Sequence, residues 1–143
     1  MLSKNIIEYL KVSSFPLRLS CISTSDWPII VSLWYIYMDE KIYCATQNTS
    51  KVVEYLNNRS KCGFEVSENN FPYQGVRGYG STAILKDKGE YILRILLQKY
   101  LKEKMSSKLY HVLLSEKHLK NEVAIEITPF KVFQWDFKYR MSQ

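Results

Sequence analysis

Pro28 to Lys51 reads PIIVSLWYIYMDEKIYCATQNTSK, and holds two strands, the turn between them and the start of a helix. Ile29 to Tyr37 and Lys41 to Thr46 are rich in β-branched and aromatic residues, and Asp39-Glu40 supplies the turn. The first run is almost wholly apolar, as a strand covered on both faces would be. The second leads into Thr49-Ser50-Lys51, after which Val52, Val53 and Leu56 recur at helical spacing. A strand that delivers two hydroxyls and a lysine to a first helical turn makes a seat for phosphate. Unpaired N–H groups and the positive end of the helix dipole attract an anion there. The plainer role for Thr49 or Ser50 is a helix cap, with Lys51 in solvent. Glu54 falls one place too late for a capping box, which leaves the hydroxyls freer for a ligand. Asn57-Asn58 is the expected helix end, since asparagine tolerates left-handed geometry.

Outward from this core, Leu2, Ile6, Tyr9 and Leu10 predict a short amphipathic helix that ends before Phe15-Pro16. Leu17, Leu19 and Cys21 alternate with Arg18 and Ser20 as a strand, and Ser25-Asp26-Trp27-Pro28 turns the chain. Cys62 to Val66 reads as a strand and Phe71-Pro72-Tyr73 breaks it before Gly75-Val76-Arg77-Gly78-Tyr79-Gly80 begins the next. These glycines are no dinucleotide fingerprint, because Ser81 to Leu85 continues as a strand. Gly78 and Gly80 share a face where a flat ring or another backbone could come close. Leu93, Leu96, Leu97, Tyr100 and Leu101 form the stripe of one long helix, opposed by Arg94, Gln98, Lys99 and Lys102. Val123, Ile125 and Ile127 alternate, Pro129 interrupts, and Phe133, Trp135 and Phe137 resume a period of two. The tally is about six strands, largely antiparallel, in a mainly β domain over residues 1–143.

The 46% hydrophobic and 24% charged content suits a folded protein. No run is long and apolar enough to span a bilayer, and Met1-Leu2-Ser3-Lys4 does not open a signal peptide, so a soluble cytoplasmic protein without a membrane partner is expected. Net charge is +6, yet the lysines are scattered and no basic run marks a nucleic-acid partner. Cys21, Cys44 and Cys62 are odd in number and lack metal-ligand spacing, so buried free thiols are expected and no metal. His111 and His118 have no second ligand nearby, and Glu122 and Glu126 read as a solvated strand face.

In their order along the chain, several short words carry a resemblance. They are Trp27-Pro28 with Ser32-Leu33-Trp34, then Ile42-Tyr43-Cys44-Ala45-Thr46, then Ser50-Lys51-Val52 with Leu56. Tyr73-Gln74-Gly75-Val76-Arg77-Gly78-Tyr79-Gly80 follows, and Pro129, Val132 and Trp135-Asp136 close the series. From Phe15 to Phe137 the chain resembles the split-barrel flavoproteins of the pyridoxamine 5′-phosphate oxidase-like superfamily. The resemblance implies a six-stranded antiparallel split β-barrel that forms a homodimer and holds FMN between subunits. It implies that the backbone of Val31, Ser32, Leu33 and Trp34 edges the flavin ring, and that Thr46, Thr49, Ser50 and Lys51 hold its phosphate. Gln74, Arg77 and Trp135 would approach from other strands or the partner chain. Lysine, arginine and hydroxyls suit phosphate, and backbone groups with aromatic cover suit a polar-edged ring.

The chain departs from authentic pyridoxamine phosphate oxidases. Ile29 to Tyr37 contains no arginine, and Phe133 to Lys138 contains no histidine, so oxidation of pyridoxamine phosphate is not expected. The reading is a flavin-dependent oxidoreductase that exchanges hydride or electrons with a small molecule or a nicotinamide nucleotide. No catalytic residue stands out, and alignment and electrostatics suffice for such transfer. An F420-dependent reductase, whose acidic cofactor tail suits the excess of Lys and Arg, is the alternative; a flavin or haem carrier without turnover is another.

Overall fold

The computed structural model describes residues 2–104 and 107–138. The first helix, α1 (Lys4–Val12), starts where the Ser3 hydroxyl accepts the Ile6 N–H, and it ends before Phe15-Pro16 as its pattern predicts. Ile6 and Leu10 are its buried face. Then come β1 (Leu17–Ile22), β2 (Pro28–Leu33), β3 (Ile36–Met38), β4 (Lys41–Gln47), α2 (Lys51–Asn58), β5 (Lys61–Ser67) and β6 (Gln74–Leu85). The long helix α3 (Gly89–Leu101), two short helices, α4 (Lys108–Leu113) and α5 (Glu116–Lys120), and β7 (Glu122–Asp136) complete the described chain.

All seven strands form one sheet in the order β2-β1-β5-β6-β7-β4-β3, and every neighbouring pair is antiparallel. The two outermost strands, β2 and β3, are successive pieces of one run joined by Trp34-Tyr35. The chain therefore bridges the two ends of its own sheet, which curls into a split β-barrel. The expected count was six strands because Ile29 to Tyr37 reads as unbroken. The seventh arises at Tyr35, whose backbone bonds leave the sheet: its N–H donates to Tyr100 Oη at 3.4 Å and its carbonyl accepts from Lys99 Nζ at 2.9 Å. With both groups satisfied by α3, no strand partner is required there.

The in-out alternation runs through this break without a slip. Ile29, Val31, Leu33, Tyr35 and Tyr37 belong to the main core with Leu10, Leu19, Val53 and Ile125. On the other face, Trp34, Ile36 and Met38 pack with Tyr43, Ala124, Ile92 and Leu96 beneath α3. Pro28, Ile30 and Ser32 on that same face are exposed. The expectation of cover on both faces thus holds only from Trp34 onward.

Three further details differ from the sequence reading. Pro129 does not interrupt β7, because a register irregularity at Tyr79/Gly80 absorbs it. The end of α2 uses no left-handed asparagine; Arg59 follows in an extended conformation, and positive φ among non-glycine residues falls at Asp26, Asp39 and Glu40. The last two form the tight hairpin between β3 and β4, as two successive left-handed residues do. At Gly78 and Gly80 an added Cβ would run into the carbonyl oxygens of Lys131 and Thr128, so it is the backbone of β7 that comes close.

Candidate functional site

The β3–β4 ladder ends at Ile36 opposite Tyr43, and β2 pairs with β1 alone among the described residues. Continuing that register would set Leu33 beside Thr46, but the strands part before then. Among the described residues neither the outward backbone edge of Ile29–Trp34 nor that of Cys44–Thr46 has a strand partner, and the gap between these two edges is the candidate slot. Its floor is the corner where β4 passes into α2. Thr49 is exposed, Thr46 is half-buried, and Lys51 reaches solvent with an ion pair to Glu54 at 3.3 Å. Ser50 is the N-cap of α2, yet it makes no capping bond. Its Oγ is buried with no hydrogen-bond partner among the described residues. A buried hydroxyl normally finds a partner, and its lack here is the polar group a phosphate oxygen would satisfy.

Behind the corner stands a support that sequence reasoning missed. The Gln47 amide donates to Glu122 Oε1 at 2.6 Å and to the His118 carbonyl at 2.9 Å. The Asn48 N–H donates to the Asn121 carbonyl at 2.7 Å, and His118 Nε2 lies 3.4 Å from Glu122 Oε1. Glu122 is buried rather than solvated; burial raises its carboxyl pKa, and the Gln47 amide and His118 oppose the shift. Glu126 is likewise engaged, with Tyr43 Oη at 2.9 Å and Lys41 Nζ at 3.2 Å. The signal was available in the alternation, since Gln47 and Glu122 sit directly opposite across β4 and β7.

Ser32, Arg77 and Trp135 all lie on the outer face of the β2-β1-β5-β6-β7 half. One cross-strand row there runs Ser32, Arg18, Glu65, Arg77, Phe133. Three strand spacings, about 14 Å, separate Ser32 from Arg77, so within one chain Arg77 does not reach the slot. Its guanidinium rests 5.1 Å from the centre of the Trp135 ring. Between the rows lies an open groove of about 590 Å³, floored by Gly63 and flanked by Ile30, Tyr79 and Phe133. Ile30 is 72% exposed, Phe130 67% and Tyr79 51%, making this an apolar face with an alternating charge row. Gln74 is apart from all of these. It lies on the inner side near α1, where its amide donates to Glu68, which also accepts from Tyr9.

Trp34 is stacked on Tyr100, with ring centres 5.0 Å apart, so its side chain belongs to the α3 packing and only its backbone borders the slot. Lys99 was assigned to the polar face of α3, but it turns inward. Its ammonium sits 3.7 Å from the centre of the Tyr35 ring and 5.0 Å from that of Tyr100, and burial lowers its pKa to about 8. Its spacing of three from Leu96 placed it at the stripe's margin, a position from which a long side chain can turn either way.

No protein-family profile matches the sequence, and no curated protein sequence matches it. Solved structures do. A conserved hypothetical protein from Mycobacterium tuberculosis superposes with a TM-score of 0.77 at 17% identity, covering 100% of this chain and 91% of the other. An F420 reductase does so with a TM-score of 0.73 at 15% identity, over 92% and 98% of the two chains. A candidate pyridoxamine 5′-phosphate oxidase from Listeria innocua gives 0.66 at 12% identity, over 91% and 94%. Others are named for FAD binding and heme storage. At these identities the likeness establishes the fold alone, a split β-barrel.

Proposed function

We propose that this chain, built on a barrel that other proteins use with flavin, F420 or heme, is an FMN-binding oxidoreductase acting as a homodimer. The observation that carries the proposal is the buried, unpartnered Ser50 hydroxyl at the first turn of α2. In this reading the FMN phosphate is held by Ser50 Oγ, by free N–H groups of α2, and by Lys51 and Thr49, with Thr46 beside them. The free backbone edge of Val31 to Trp34 gives the polar rim of the ring its donors and acceptors. Bound FMN supplies the redox chemistry, exchanging hydride or electrons with a small organic molecule or a nicotinamide nucleotide. The residues of this chain bind it, orient it and exclude water.

The dimer is the part that brings Arg77 and Trp135 into reach, since both project from the outer face carrying Ile30 and Tyr79. An apolar face this large on a soluble chain is suited to burial against a second copy. Likeness in fold to an F420 reductase favours one second reading, in which F420 occupies the same slot.

Purified protein tests this directly. FMN binding should appear as flavin absorbance, or as fluorescence quenching on titration into colourless protein. Lys51→Ala should weaken it by about 1.5–3 kcal/mol, the value of a charge-assisted hydrogen bond. Ser50→Ala should weaken it without harming the apo fold, because no bond is lost. A protein that ignores FMN and binds F420 moves the assignment to the second reading, and one that binds neither ends both.

A further inference from the structure

Cys21 and Cys62 are free and buried, and the proposed function uses neither. The β1–β5 ladder pairs Arg18 with Glu65, Leu19 with Phe64 and Ser20 with Gly63, so the next step sets Cys21 directly opposite Cys62. Both side chains belong to the main core, on the inner side of the barrel. Directly opposed residues of an antiparallel pair have Cα atoms about 4.5–5.5 Å apart, within the span of about 4.4–6.8 Å that a disulfide accepts. Cys44 is also in the core, but on β4, three places from β5 in the sheet. It lies across the interior from Cys62 and close enough to interact with it, but it is not a cross-strand neighbour in the sheet, as Cys21 is.

We propose that Cys21 and Cys62 are a redox modification site, forming a reversible cross-strand disulfide that staples β1 to β5. Both thiols are buried beneath this strand pair, so a small oxidant reaches them through local opening of the β1–β5 pairing. With hydrogen peroxide as oxidant, the Cys62 thiolate attacks and breaks the O–O bond, leaving a sulfenic acid and hydroxide. The Cys21 sulfur then displaces the second oxygen, so one S–S bond forms, two thiol protons leave and two waters result. Burial pushes the Cys62 thiol up to about 12 and raises Cys21 too, so the reaction is slow and calls for sustained oxidation. The loop closed by this bond contains β2, β4 and α2, hence both walls and the floor of the slot.

The test is a peptide map of the intact wild-type protein after treatment with hydrogen peroxide, followed by alkylation under denaturing conditions. The expected result is a linked Cys21–Cys62 peptide with Cys44 alkylated, together with a higher melting temperature that dithiothreitol reverses. Cys44→Ala should keep both effects, and Cys21→Ala or Cys62→Ala should abolish them. Recovery of Cys21 and Cys62 as separate alkylated or over-oxidised residues would overturn the proposal, and so would a bridge to Cys44. The wild-type map decides the matter even where a core replacement weakens the fold.

Discussion

Ile30 and Ile36 hold equivalent positions in one unbroken alternation, six residues apart on the outer face of the barrel. Ile36 is packed beneath α3 against Tyr43 and Leu96, whereas Ile30 stands 72% exposed. The two halves of the barrel are therefore alike in strand chemistry and opposite in cover. One half has its helix within the chain, and the other presents Ile30, Tyr79, Phe130 and Phe133 to whatever lies outside. Apolar residues on a strand report that a face is covered somewhere; they do not say by which molecule.

The comparison is broken hardest by emptying the covered half. Leu96→Ala should cost about 2–5 kcal/mol of stability, read from urea denaturation, because the side chain is fully enclosed. On the bare half, Ile30→Asp should change the stability of the isolated chain by less than about 0.5 kcal/mol and weaken self-association by about 2 kcal/mol or more. Sedimentation at several concentrations separates the two, and a chain that is monomeric before the change has no dimer on this face.

Lys99 sharpens the comparison at the junction. Its ammonium titrates near 8 when folded against an ordinary 10.5, because burial disfavours its charge. Between those values the unfolded chain binds more protons, so this residue makes stability rise with pH across that window. Tyr100, raised to about 12 by burial, opposes the rise only above about pH 10, where free tyrosine begins to ionise. The buried thiols of Cys21, Cys44 and Cys62, raised by burial above the ordinary 9, act in the opposite sense from about pH 9. Lys99→Met should therefore make the slope of stability against pH less positive or more negative between about pH 8 and 10, measured by denaturation at each pH. An identical slope in both proteins would show that the ammonium is solvated. The smallest effect is expected at Thr49, where alanine should shift apo stability by no more than about 0.5 kcal/mol, since the residue is exposed.

Most of the strands were legible in the sequence, because each declares itself through short-range alternation. The run from Pro28 to Lys51 gave the hairpin, the Asp39-Glu40 turn and the start of α2, all decided by neighbours in the chain. The break at Trp34-Tyr35 was not legible, since it depends on Lys99 and Tyr100, some 64 and 65 residues away. Glu122 was misread for a similar reason: one acidic residue on a strand looks solvated until the amide of Gln47 is seen across the ladder. At the candidate site, the corner of Thr46, Thr49, Ser50 and Lys51 was readable as one unit because it is continuous in the chain. That Ser32, Arg77 and Trp135 share a face, and that Gln74 is turned from them, followed only from strand order.

The grip of α3 on Tyr35 has a consequence for the slot itself. Without Lys99 and Tyr100 occupying that peptide's N–H and carbonyl, the ladder between β3 and β4 could zip onward through Trp34, Leu33 and Ser32. The barrel wall would then seal, and the opening would heal over like a closed seam. A helix that touches no ligand is in this sense the wedge that keeps the door ajar.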